Sequence, residues 1–327
     1  MKYPAQSGVQ MNDMYSYTAP GTNGAGLPAA KRLQANQAVE YTNNNNQREE
    51  SPITVDLNAT YTYNDEGETT AVTYPSTGFS TAPVAGASYN YSYDSMYRLS
   101  GMTTSTGTSV VSGVSYNAAN ELLTMNYYGI AETRSYNVLN QLTNINVGSF
   151  ENLTYNYPAG SNNGKISSMY NAISGETVTY TYDSLNRLLT ANGSGWGQQY
   201  GFDSFGNLLS KTVTAGSGPS LSQAVNPANN QIVGYSYDAN GNTSAINNGG
   251  YTYDLFYDPE SRLSSVYPTA SYFYDAQNRR IWSWANTVDG LGNTTSYTVN
   301  MYSPSGQKLG AYLFVPGETS HEGCTLR

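Results

Sequence analysis

The chain has 327 residues, of which only 11% are charged, and a net charge of −9. That balance argues against a nucleic-acid surface, which needs a basic patch, and no run approaches the roughly 18 apolar residues of a membrane-spanning helix. The 32 Tyr and 32 Gly residues separate it from disordered chains, which are poor in aromatics, and too little Ala, Leu, Glu and Lys is present to fill helices. In chain order, Met1-Lys2-Tyr3-Pro4 shows no signal peptide. Residues 1–52 read as an irregular N-terminal segment. It holds a degenerate first repeat, from Tyr17 to Lys31-Arg32-Leu33, then a long loop through Asn43-Asn44-Asn45-Asn46 and Gln47-Arg48-Glu49-Glu50. Residues 53–315 read as a repeat-built β-sheet, with Ala215–Pro227 as a longer insertion at one edge. Residues 316–327 read as an unpaired tail.

The repeat is the dominant signal. Tyr182-Asp183-Ser184-Leu185-Asn186-Arg187-Leu188 returns as Tyr93-Asp94-Ser95-Met96-Tyr97-Arg98-Leu99, as Phe202-Asp203-Ser204-Phe205-Gly206-Asn207-Leu208 and as Tyr257-Asp258-Pro259-Glu260-Ser261-Arg262-Leu263. Further copies begin at Tyr63, Tyr116, Tyr136, Tyr237, Tyr274 and Tyr302, and a second degenerate one at Tyr157. The frame predicts a hairpin. A second Tyr two residues back (Tyr91, Tyr180, Tyr200, Tyr235, Tyr272) shares a strand face with the first. Asp or Asn opens the turn, where its side chain can cap the backbone ahead. Gly or Asn three residues later (Asn186, Gly206, Gly241, Asn278) tolerates positive φ. That order suits a type I turn with a bulge residue. Two strands per copy predict roughly twenty strands and a sheet on the order of 100 Å long. The Tyr pairs read as core, and Arg98, Arg187, Arg262, Arg279 and Lys308 as cations lying over a neighbouring Tyr or pairing with a turn Asp.

The Tyr-Asp turn followed by Gly-Asn-Leu or Asn-Arg-Leu, in so many copies, resembles the YD repeat of the RHS family, which includes bacterial RHS proteins, the BC component of Tc toxins and the teneurins. The resemblance runs from about Tyr15 to Leu313. It implies an all-β fold of tandem YD hairpins forming one long twisted sheet, wound as a spiral or partial shell. It also implies a scaffold role: in toxin members the shell encloses a toxic domain, and in teneurins it serves adhesion. The family's core signature is not matched. The nearest strings, Asp258-Pro259 and Asp289-Gly290-Leu291-Gly292, fall in a repeat turn and a loop.

No catalytic, cofactor-binding or metal site is expected. His321 is the single His and sits beside the single Cys, Cys324, which leaves no triad and no cysteine-rich metal site. Asp238-Ala239-Asn240-Gly241-Asn242 resembles a calcium loop but lacks the closing Glu, so it reads as a turn. Asn58, Asn152 and Asn242 head glycosylation sequons of the kind an Asn-, Ser- and Thr-rich chain produces by chance. Two functions follow. One is a non-catalytic part of a secreted or cell-surface toxin-delivery or encapsulation shell, whose partners are a toxin cargo or a neighbouring RHS core in a longer chain. The other is an extracellular structural or adhesive protein that self-associates into fibres through open sheet edges. Binding to glycans or a cell surface is a third, weaker reading. None involves nucleic acid or a membrane span.

Overall fold

A computed structural model describes residues 10–42, 48–79, 82–248, 250–289, 292–314 and 325–326. The tetra-Asn stretch 43–46, the Gly290-Leu291 pair, His321 and Cys324 lie outside them. Among the described residues the chain forms thirty strands and no helix, and every pairing is antiparallel. The fold is therefore the expected all-β series of YD hairpins, with more strands than two per repeat because short strands line the connections.

The chain divides into two compact units. The first comprises Met1–Tyr91, Thr104–Gly107 and Ser236–Arg327; the second comprises Ser92–Thr103 and Thr108–Tyr235. The break near Tyr235 follows the Ala215–Pro227 insertion, where only two-residue strands form (Leu221–Ser222, Val225–Asn226, Gln231–Ile232). Gly216, Gly218 and Pro219 interrupt the ladder there.

In the first unit, strands Gln10–Tyr17, Pro28–Thr42, Arg48–Tyr63 and Thr69–Thr73 pair in chain order. This differs from the long loop expected within residues 1–52. Pro28–Thr42 and Arg48–Tyr63 pair residue for residue from Ala30 opposite Thr60 to Thr42 opposite Arg48. The sequence alternates on both sides, Leu33, Ala35, Val39 against Arg32, Gln34, Glu40 and Ile53, Val55, Leu57 against Thr54, Asp56, Asn58, which is the two-residue period of a half-buried strand. The expected unpaired tail also differs at its end, because Thr325–Leu326 pair with Leu313 and Tyr312.

The core of this unit lies where that sheet meets the C-terminal one. Leu33, Leu57, Ala59, Tyr61 and Val72 pack against Ile281, Trp282, Tyr297, Val299, Met301 and Tyr312. Leu33 stands opposite Leu57, Tyr61 opposite Val72, and Val299 opposite both Trp282 and Tyr312, so one face of each sheet supplies the cluster. Each large side chain so buried stabilises by about 2 kcal/mol.

The second unit is built differently. Its strands, from Ser109–Tyr116 to Leu208–Ala215, form a single antiparallel layer. Its buried apolar residues, among those described, are Val110, Val178 and Ala191. One face carries Ile145, Leu153, Tyr155, Met169, Val178, Tyr180 and Ala191; the other carries Asn144, Thr154, Ser168, Thr179, Thr181 and Thr190. The expectation that the repeat Tyr pairs form a core thus divides. Of the Tyr two residues before an opening Tyr, Tyr61 is buried, whereas Tyr91, Tyr180, Tyr200 and Tyr272 are half-buried and Tyr235 is exposed; the buried Tyr297 and Tyr312 lie outside those pairs.

Candidate functional site

The repeating feature is the YD turn. At Asp183 the backbone N–H donates to the Arg187 carbonyl at 2.9 Å, and the Asn186 N–H returns to the Asp183 carbonyl at 2.9 Å. Oδ1 accepts from the N–H groups of Leu185 and Arg187, each at 2.9 Å, while Oδ2 accepts Arg187 Nε at 2.7 Å. One carboxylate therefore saturates a whole turn. Asp94, Asp203, Asp238, Asp258 and Asp275 repeat the arrangement. The fifth place has positive φ in copy after copy, as at Asn140, Asn186, Gly206 and Asn278. The register shifts at the Tyr that opens the turn, the predicted bulge. At Asp94, Asp183, Asp203 and Asp238 these donors hold the carboxyl below its usual range. At Asp94 and Asp183 the leading cause is the backbone N–H of Arg98 and Arg187, and at Asp203 and Asp238 it is the side-chain amide of Asn207 and Asn242.

A pairing rule that the sequence reading missed governs the second and sixth places. Where the second is Asp, the sixth is a donor: Arg98, Arg187, Asn207, Asn242, Arg262 or Arg279. Where the second is Asn, the sixth is an acceptor. Asn64 donates Nδ2 to Glu68, Asn117 to Glu121 and Asn137 to Gln141. The signal was present in the sequence as covariation between the two places.

Successive turns are tied together. The opening Tyr hydroxyl donates to the carbonyl that follows the preceding turn: Tyr116 to Leu99, Tyr136 to Leu122, Tyr182 to Ile166, Tyr257 to Thr243 and Tyr274 to Leu263, at 2.8 to 3.1 Å. The Arg cations do both things anticipated for them. Each pairs with its own Asp and lies over the next opening ring: Arg98 over Tyr116 at 4.5 Å, Arg187 over Phe202 at 4.8 Å, Arg262 over Tyr274 at 5.0 Å and Arg279 over Tyr302 at 4.8 Å. Arg187 and Arg262 also donate to the next Asp carbonyl.

Such a ladder spends its polar groups on itself. Asp238-Ala239-Asn240-Gly241-Asn242 is a turn, its Oδ1 taken by the N–H groups of Asn240 and Asn242. Among the described residues no group of three His, Cys, Asp or Glu side chains is placed to hold a metal ion. Asn152 and Asn242 of the sequons are engaged with Asn144 and Asp238, while Asn58 is exposed. No helix among the described residues is long and apolar enough to cross a membrane.

Fold and turn together define a tandem YD-hairpin scaffold. Residues 161–292 match the Teneurin YD-shell family model. That match, over part of the chain, and the repeats along the rest support an RHS/YD-repeat family. No curated protein matches it by sequence. Two solved structures share the fold. One is the Photorhabdus luminescens Tc holotoxin pore, 14% identical, with a TM-score of 0.63 over 94% of this chain and 20% of the other. The second is the TcdB2-TccC3-TEV crystal structure, 13% identical, with a TM-score of 0.64 over 97% and 22%. The chain thus spans about a fifth of the length of either.

Proposed function

We propose that the chain is a non-catalytic scaffold that forms part of an extracellular or cell-surface shell enclosing a toxin cargo. The observation that carries this reading is the inter-repeat ladder. Turns are closed by one side chain and tied to their neighbours by Tyr hydroxyls and, at Arg98, Arg187, Arg262 and Arg279, by an Arg stack. The product is a stiff wall only one sheet thick in the second unit, as an enclosure needs and as a catalytic cleft does not. The likeness to Tc toxin structures supports the same reading. The partners proposed are the cargo and a neighbouring RHS segment. Met96, Leu139, Leu185 and Phe205, all at the fourth place of turns in the second unit, are 60% to 73% exposed and offer that segment an apolar edge.

The fibre alternative draws less support. Three edge strands, Leu221–Ser222, Ser236–Tyr237 and Thr325–Leu326, are two residues each, and short edges discourage strand addition, which leaves Gln10–Tyr17 as the long edge among the described strands of the two large sheets. Negative-stain microscopy with size-exclusion chromatography tests both. Monodisperse particles with an internal void, protecting a co-expressed cargo from protease, are expected. Fibres, or a cargo cut as fast as when free, would sink the shell reading.

A further inference from the structure

Asp13 and Lys31 stand apart from the other ion pairs among the described residues. They lie diagonally across the first antiparallel pair, since Asp13 is opposite Leu33 and Tyr15 opposite Lys31. Both residues are only 4% exposed, whereas the paired turn arginines keep 18% to 26% of their side chains exposed. Lys31 Nζ is 3.1 Å from Asp13 Oδ2, so the amine nitrogen and the carboxyl carbon are separated by that contact and a single C–O bond. Tyr15 donates its hydroxyl to the same Oδ2 at 3.2 Å, and its ring lies 5.3 Å from Nζ. Burial, then Asp13, pushes the Tyr15 phenol up to about 12, so it stays a proton donor across the neutral range; Arg279 and Asp275 also act on it. Two buried charges rarely repay their desolvation, while an amide in their place carries no charge.

We propose that Lys31 and Asp13 condense into an intramolecular isopeptide bond, with Tyr15 as the catalytic donor to the reacting carboxyl. A proton passes from the Lys31 ammonium to the Asp13 carboxylate, leaving a neutral amine and a neutral acid. The amine lone pair forms the Nζ–Cγ bond, and the carbonyl electron pair moves onto Oδ1, while the Tyr15 O–H holds the protonated Oδ2, the oxygen that leaves. The carbonyl then re-forms. The hydroxyl leaves with a proton from Nζ as water, and nothing is oxidised or reduced. The product ties strand Gln10–Tyr17 covalently to Pro28–Thr42, so the first strand cannot peel from the sheet. This inference is independent of the shell reading.

Intact-mass spectrometry of the full chain tests it. The expected mass is that of the sequence less one water. After unfolding, trypsin should fail to cut behind Lys31 and should release residues 3–32 as one internally linked peptide. Lys31→Ala and Asp13→Ala should each show their full sequence mass. Asp13→Asn should lose one ammonia instead of water, and Tyr15→Phe should form the bond more slowly. A folded wild-type chain at full mass, cut normally at Lys31, overturns the proposal, as does loss of water that persists in Lys31→Ala. Should a variant fail to fold, the wild-type mass and the linked peptide still decide.

Discussion

The hydroxyl of Tyr274 donates to the carbonyl oxygen of Leu263 at 2.9 Å, joining one turn to the next. The opening Tyr is therefore more than an apolar filler: removing its oxygen strips a half-buried carbonyl of a donor. Tyr274→Phe and Tyr182→Phe should each cost about 1 kcal/mol in urea unfolding. Tyr251→Phe, at a ring 72% exposed, should cost close to nothing. Equal effects at all three would show that the hydroxyls do not clamp the repeats.

The second and sixth places of each turn should be coupled. Asn117→Asp sets a carboxylate against that of Glu121, the acceptor of the Asn117 amide at 2.5 Å. A loss of roughly 1 to 2 kcal/mol is expected from the lost bond and the like charges. Adding Glu121→Arg rebuilds the pairing seen between Asp183 and Arg187 and should recover most of it. The readout is a double-mutant cycle. Additive losses would break the rule.

The hairpin frame was legible in the sequence because it is short-range. An Asp that caps its own backbone, a residue with positive φ and a Tyr two back from another all act within seven residues, so their spacing survives as a pattern. What escaped the reading depends on longer reach. The strand pair around Leu33 and Leu57 lacks the Tyr-Asp signature, and its alternation is diluted by Gln37 and Ala38. The core between Trp282 and Leu57 joins the two ends of the chain, and no local period encodes that meeting. The partners of Arg187 were foreseen in kind, since a cation near both a carboxylate and a ring has few other choices. That it serves both at once follows from the next turn standing one hairpin away. Asp13 carried no motif and Lys31 only the end of a degenerate repeat; the pairing of their strands brings them together.

The fifth place of the turn sets a backbone test. Ser261 holds φ at 60° and Tyr97 at 60°, a conformation that Asn and Gly accept more readily. Ser261→Gly should therefore raise stability by about 0.5 to 1 kcal/mol. Asn186→Val, which puts a β-branched side chain at φ 65°, should lower it by roughly 1 to 2 kcal/mol. Thermal unfolding by circular dichroism measures both. A stabilising Asn186→Val would mean that the turn does not hold this geometry.

Stability should fall off at both ends of the pH scale, for opposite reasons. The carboxyls of Asp94, Asp183, Asp203 and Asp238 are held below their ordinary range by turn donors. A depressed folded value means stability that is present above the unfolded value of about 4 and drains away as pH falls through and below it. Tyr15, Tyr61, Tyr74 and Tyr297 are shifted the other way, chiefly by burial. A raised folded value means stability that is complete below the unfolded value of about 10 and is lost as pH rises beyond it. The urea midpoint should hold a plateau between pH of about 5 and 9. Its acid fall should shrink in Asp183→Asn, which keeps the Oδ1 contacts but no longer titrates. The alkaline fall should coincide with a late, cooperative rise in tyrosinate absorbance. A midpoint that stays level down to a pH of about 2 would mean that the turn carboxylates contribute nothing as charged groups.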